Sequence, residues 1–298
     1  MARIHETGKG TPVDLRTAAD LYLLAAEKGH LDAMCSNGYL LENGYATSTP
    51  DPSSALKWYA TAADQGYARA QNAVGSCYYW GKGVKRDRGE AVVWYRRAAE
   101  QGDPHAQNNL GICYEEGSGV ARDLVMAKTY YKMAADARHA GGVNNLGFLC
   151  MMEKDYMTAI KHFHLAMSLG SIDASYNLGT LYEAGCRDAD GVVVNKDYEM
   201  AARFYREAAD QGHTKSQTRL GTILLFAPPP LQNRTLAQKY LLKAASPPSS
   251  SAPQKSTPSA TAQTLLGEIH ELGLITSSPD YGQATKWYKL ASQQGHAG

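Results

Sequence analysis

The chain has 298 residues, 44% hydrophobic and 20% charged, with 30 basic against 29 acidic side chains and a formal net charge of +1. That balance leaves no clustered basic face for nucleic acid, and no apolar run reaches the roughly 18 residues that would cross a bilayer. Five cysteines, an odd number without a Cys-x-x-Cys pair, give neither a zinc nor a redox signature.

Taken in chain order, the sequence repeats itself. Residues 1–30 read as a partial repeat: a turn at Gly8-x-Gly10, then Asp14, then a helix carrying Leu21-Tyr22 and Ala25-Ala26. Repeats follow over 31–67, 68–103, 104–139, 140–171, 172–213 and 214–245. Residues 246–259, rich in Ser and Pro, offer nothing to bury and are expected to be a disordered insertion before a last repeat at 260–298. The register is set by the glycines Gly38, Gly75, Gly111, Gly147, Gly179, Gly221 and Gly267. The third repeat shows the pattern in full: Ala106, Leu110-Gly111, Tyr114, Gly117-x-Gly119-Val120, Asp123, Ala127, Tyr130-Tyr131 and Ala134-Ala135.

Each repeat reads as two helices. In the first, Ala, Leu and Tyr fall four apart and share one face. The glycine beside the Leu allows a neighbouring helix to come close, and the Gly-x-Gly ends the helix through a left-handed residue. The second helix starts at Asp14, Asp51, Asp87, Asp123, Asp155, Asp197, Asn233 or Asp280. Asp and Asn are preferred there because the side-chain oxygen accepts an orphan backbone N–H. The second helix stops at Gln-Gly or Lys-Gly, as at Gln65-Gly66 and Gln101-Gly102. Three repeats depart from the pattern: Met151–Lys154 run straight to Asp155, Arg187 to Asn195 form a long loop, and Ala227-Pro228-Pro229-Pro230 replaces a glycine turn.

These residues resemble the Sel-one-like repeat family, relatives of the tetratricopeptide repeats, over essentially the whole chain. The resemblance implies an all-α solenoid: a right-handed superhelix of tandem antiparallel helix pairs, with the first helices lining the concave face. It also implies adaptor work in place of catalysis. Cysteine-rich bacterial relatives carry β-lactam-related activities, but their regular cysteine pairs are missing here, so that activity is not carried over.

The chemistry-bearing residues support the same expectation. His162 and His164 stand two apart, so in a helix they point about 200° from each other and share no metal. There is no Gly-x-Ser-x-Gly, P-loop or His-Glu-x-x-His motif, and Asn233-Arg234-Thr235 is a glycosylation sequon on a capping position. No cofactor, metal or catalytic group is expected. The expected partners are proteins or peptides, with no nucleic acid and no direct membrane insertion.

On the first helix, the positions opposite the buried face are the residue before the Leu, the residue after the Gly, and the fifth after the Gly. The first set gives Asn109, Asn145, Asn177 and Arg219. The second gives Ser76, Ile112, Phe148 and Thr180, and the third gives Trp80, Glu116, Met152 and Phe226. A carboxamide ladder suits an extended peptide, because each amide both donates and accepts; the alternative is that the Asn side chains pair with neighbouring helices. The apolar members would supply anchors. Both ends fall inside a repeat, so the chain is expected to be a fragment of a longer array. This leaves open a regulatory array of a larger enzyme, such as a kinase. The absence of a signal peptide suits the cytoplasm, with the endoplasmic reticulum lumen open if the true start lies upstream.

Overall fold

The computed structural model describes residues 2–7, 12–47, 49–188, 191–246 and 257–295. The expectations for the Gly8–Gly10 turn, for residues 247–256 and for the last three residues lie outside the described residues. Helices dominate and follow one another in pairs. The short α1 (Ala2–Thr7) precedes α2 (Leu15–Glu27), α3 (Leu31–Glu42) precedes α4 (Pro52–Asp64), and α5 (Ala68–Trp80) precedes α6 (Arg88–Glu100). Then come α7 (Pro104–Glu116) and α8 (Leu124–Asp136), α9 (Ala140–Met152) and α10 (Tyr156–Ser168), and α11 (Ile172–Ala184) and α12 (Tyr198–Asp210). The last pairs are α13 (Thr214–Phe226) with α14 (Arg234–Ala245) and α15 (Ala260–Glu271) with α16 (Tyr281–Gln293). The chain divides into two compact units, Met1–Leu146 and Gly147–Gly298.

Capping chemistry sets the helix boundaries. All eight predicted Asp and Asn residues sit at N-caps, and each side chain accepts a backbone N–H two or three residues on. Each such cap stabilises its helix by about 1 kcal/mol. The helices α5 and α7 end at left-handed Gly81 and Gly117, with φ of 72° and 70°. The shortened connection after α9 closes through Lys154 at φ 65°, and α8 is followed by Arg138 at φ 57°. The expected long loop after α11 holds a small hairpin instead: β1 (Cys186–Asp188) pairs antiparallel with β2 (Gly191–Val194), Arg187 opposite Val192. Its apolar Val192–Val194 run was the signal that loop length alone concealed.

Within a repeat, the two helices meet at the glycine. A Cβ on Gly111 would lie 2.6 Å from ring carbons of Tyr131, and one on Gly179 would lie 2.6 Å from the Tyr205 ring. The neighbour that needs the missing side chain is therefore the aromatic residue of the second helix. The same ring is then latched. Tyr131 donates its hydroxyl to Glu115 at 2.5 Å, Tyr205 to Glu183 at 2.6 Å, Tyr59 to Glu42 at 3.1 Å and Tyr288 to Glu271 at 2.7 Å. Each glutamate stands four residues after its glycine. Burial and the adjacent carboxylate push the tyrosine hydroxyls well above their ordinary range. Where the second helix carries Phe163 or Leu241, the matching position on the first helix is Met151 or Leu225.

The buried face of the first helix differs in one respect from the sequence reading. The residue two after the glycine is core: Leu40, Cys77 and Cys113 in the first unit, and Leu149, Leu181, Ile223 and Ile269 in the second. The Tyr three after the glycine is only half-buried. Tyr114 stacks on Tyr130 with ring centroids 5.7 Å apart, and Tyr182 on Phe204 at 5.4 Å. The core face of the first helix thus runs through the Leu and the residue two after the glycine, with the Tyr at its edge. All five cysteines are buried thiols, and burial pushes those of Cys77 and Cys113 up to about 12, which leaves them inert.

Successive repeats are joined by buried glutamines four residues before the glycine. Gln71, Gln107, Gln217 and Gln263 each donate to the carbonyl of an alanine at the end of the preceding second helix: Ala63, Ala99, Ala209 and Ala245. Ala63, Ala99 and Ala209 also accept the N–H of the glycine three residues on, at 2.9–3.0 Å, so each glutamine adds a second bond at the helix end while holding its own repeat in register.

Candidate partner-binding surface

None of the twelve predicted surface residues is buried. In the first unit, Ser76 and Trp80 lie on α5, Asn109, Ile112 and Glu116 on α7, and Asn145 on α9. In the second unit, Phe148 and Met152 lie on α9, Asn177 and Thr180 on α11, and Arg219 and Phe226 on α13. The large apolar side chains at the fifth position stand out in water: Trp80 is 66% exposed, Phe226 59% and Met152 51%. Leu272, at the same repeat position and capping the end of α15, is 65% exposed and was not singled out from the sequence. It follows Gly267 by five residues, so the repeat register carried the signal.

The asparagines are partly engaged. Asn109 Nδ2 donates to Asn72 Oδ1 at 2.9 Å, and Asn145 Nδ2 donates to Asn108 Oδ1 at 3.0 Å. Each bond runs from one first helix to the first helix of the previous repeat. The partners Asn72 and Asn108 stand three residues before their glycines; with Asn144 they form a second Asn row that the sequence displayed and the reading passed over. Asn145 Oδ1 also accepts from Asn144 at 3.3 Å. The pairing of Asn109 and Asn145 matches the neighbour-binding alternative, and what remains for a ligand is the outer N–H of each amide and the Asn109 oxygen.

The other polar positions are held in the same way. Thr180 bonds back to the Asn177 carbonyl at 2.7 Å, and Ser76 accepts from Tyr95 at 3.2 Å. Glu116 accepts from Tyr79 at 2.7 Å and from Ser118 at 2.9 Å, all through one oxygen. The Tyr79 ring meets the Trp80 ring edge-on at 4.9 Å, so Trp80 and Glu116 flank one tyrosine. Arg219 pairs with Glu183 at 2.8 Å and Arg69 with Asp32 at 2.8 Å. Both ion pairs are solvent-accessible, so each adds about 0–1 kcal/mol and mainly fixes side-chain direction.

His162, His164 and His213 have local structural roles. His162 packs beside Gly147, while His164 meets the Phe204 ring edge-on at 5.9 Å. His213 caps α13 by accepting the Ser216 N–H at Nδ1, a role the sequence reading assigned to Asp and Asn alone. Among the described residues, no group of three His, Cys, Asp or Glu side chains could hold an ion, and no helix is long and apolar enough to cross a membrane.

The repeated glycine–aromatic latch and the glutamine caps are properties of one repeat type. The family model of the Sel1 repeat matches residues 1–30, 31–67, 68–103, 104–139, 145–171, 172–213, 214–246 and 260–296. The chain belongs to the Sel1 repeat family. Its fold is accordingly an all-α solenoid of tandem helix pairs. A protective antigen of uropathogenic Escherichia coli with this fold is 29% identical, with a TM-score of 0.67, over 93% of this chain and 56% of that one. This Sel1 chain thus spans little more than half the length of that relative. A Sel1 repeat protein from Oxalobacter formigenes is 26% identical, with a TM-score of 0.67, over 89% of this chain and 99% of that one. An immunity protein from Pseudomonas aeruginosa, 21% identical over 72% of this chain and 80% of that one with a TM-score of 0.51, shares the fold. No curated protein matches the chain by sequence. Sel1 repeat proteins generally act as protein-interaction scaffolds, and the fold is typically non-catalytic.

Proposed function

We propose that this Sel1 array is a non-catalytic scaffold that binds partner proteins or peptides along the outer faces of its first helices. The observation that carries the reading is the set of large apolar side chains left in water at one repeat position, Trp80 in the first unit and Met152, Phe226 and Leu272 in the second. Isolated exposed hydrophobics are ordinary, but their recurrence at one repeat position in four repeats supports reading them as anchors. Backbone recognition falls to the half-engaged amides of Asn109 and Asn145 beside them. The buried thiols suit a reducing cytoplasm.

Partner capture on the intact array tests this. Proteins crosslinked to the wild-type chain should be lost, by about tenfold or more, from Trp80→Ala and Phe226→Ala variants of unchanged helicity. Equal recovery on both variants would remove this surface from the binding site.

A further inference from the structure

His105, in the first turn of α7, and His139, the residue before α9, meet ring to ring. His139 Nε2 lies 3.1 Å from His105 Nδ1, and the rings are edge-on with centroids 4.5 Å apart. On its other side, His139 Nδ1 accepts the backbone N–H of Gly142 at 3.1 Å. An acceptor nitrogen carries no proton, so the neutral His139 ring holds its proton on Nε2. That proton points at His105 Nδ1, which must accept it and hold its own proton on Nε2. One tautomer pair alone satisfies the chain Gly142 N–H to His139 to His105.

We propose that His105 and His139 form a proton-operated joint between α7 and the first turn of α9, closed when both rings are neutral and opened by acid. A proton on His105 Nδ1 sets two donors against each other across 3.1 Å. A proton on His139 Nδ1 opposes the Gly142 N–H and removes the cap of α9. Each uptake therefore breaks a hydrogen bond. The His139 ring also sits at the N-terminus of α9, where the backbone dipoles disfavour a cation.

The charges around the pair are few. Asp103 attracts a proton to His139, but its carboxylate already caps α7 through the Ala106 N–H at 2.7 Å. Desolvation, and then His105, hold the His139 imidazole below the ordinary histidine range in spite of Asp103. The unfolded chain binds the proton first, so stability rises with pH and is lost as pH falls below about 6.5. The arrangement does not suit a metal, because a ligating histidine uses its second nitrogen to donate and His139 uses it to accept. The joint adjoins the partner surface: a Cβ on Gly141 would lie 3.1 Å from His139 Cε1 and 3.5 Å from Asn108 Oδ1, the acceptor of Asn145. The inference concerns stability and holds whatever the array binds.

Imidazole nitrogen and carbon shifts of the intact chain, followed from pH 8 to pH 5, test it directly. Both rings should show the Nε2-protonated tautomer, and His139 should titrate below about 6.5. Amide exchange at Gly142 and Val143, corrected for intrinsic rate, should quicken about tenfold between pH 7.5 and pH 5.5, the loss of roughly one hydrogen bond. In His139→Asn, the side-chain oxygen still caps Gly142 but cannot titrate, so this quickening should vanish. A His139 ring that titrates at or above about 6.5, or that holds its proton on Nδ1, would overturn the joint. So would the same quickening in His139→Asn. The wild-type titration decides the matter even if the variant folds poorly.

Discussion

In the α7/α8 repeat, Gly111 lies under the Tyr131 ring, and the ring hydroxyl reaches Glu115. In the α13/α14 repeat, Gly221 lies under Leu241, and Leu225 occupies the position of the glutamate. The space over the glycine is filled equally tightly: a Cβ would stand 2.6 Å from the nearest side-chain atom in either repeat. The glycine is therefore a condition of the approach itself, while the latch above it exists in a polar and an apolar version. The versions do not mix freely. Tyr with Glu, Phe163 with Met151 and Leu241 with Leu225 each satisfy both members, whereas a Tyr opposite Met would bury a hydroxyl without an acceptor. Tyr95 is the informative case: position 79 is a Tyr, and its hydroxyl turns instead to Ser76 at 3.2 Å.

The sharpest way to break the comparison is to fill the two glycines. In Gly111→Ala the new methyl meets a ring that is fully buried and tethered by its hydroxyl. Overpacking should outweigh the helix-propensity gain and lower stability by about 2–3 kcal/mol in urea denaturation. In Gly221→Ala the obstacle is Leu241, equally buried but untethered by any hydrogen bond, so the expected loss is smaller, about 1–2 kcal/mol. Equal losses would show that backbone separation, and not the tether, decides the cost.

A smaller effect should follow from crossing the two latches. Phe163→Tyr places a hydroxyl where Met151 cannot accept, and should cost about 1–2 kcal/mol. Adding Met151→Glu should recover most of it, giving a coupling energy of about 1 kcal/mol in the double-mutant cycle. Additivity of the two substitutions would mean that the hydroxyl finds water or another acceptor.

Much of this was legible in the sequence, because repetition turns one chain into its own alignment. Every Asp and Asn cap was placed correctly, since that capping bond is local and needs only the residue and the turn after it. The exposure of the fifth residue after the glycine was also legible, at Trp80, Glu116, Met152 and Phe226, since the Leu-Gly pair fixes that position. The glycine's partner was not: only the folded repeat shows that the ring of the second helix fills the missing side chain. The Asn109–Asn72 pair was hidden for a similar reason. Its members stand at different positions in their repeats, so a search along one register never aligns them. The hairpin at Cys186–Val194 had no copy elsewhere in the chain, and repetition therefore said nothing about it.

The comparison extends to the ends of the second helices. After α6 come Gln101 and Gly102. Gln101 Nε2 donates to Gln71 Oε1 at 2.7 Å, which completes the glutamine that joins this repeat to the one before. Gln294 serves Gln263 in the same way at 2.7 Å. After α8 the residues are Ala137 and Arg138, and Gln107 Oε1 is left buried without a donor. The left-handed position that glycine fills elsewhere is held by Arg138 at φ 57°. Ala137 is exposed, so a glutamine can enter without displacing the core. Ala137→Gln should therefore stabilise the chain by about 1 kcal/mol through the restored bond. Arg138→Gly should add a few tenths to about 1 kcal/mol, the relief of a left-handed side chain less the entropy of a glycine. Thermal midpoints of the two single variants and the double variant measure both terms. No gain from Ala137→Gln would mean that Gln107 Oε1 is already satisfied by solvent, and that the missing glutamine costs this repeat nothing.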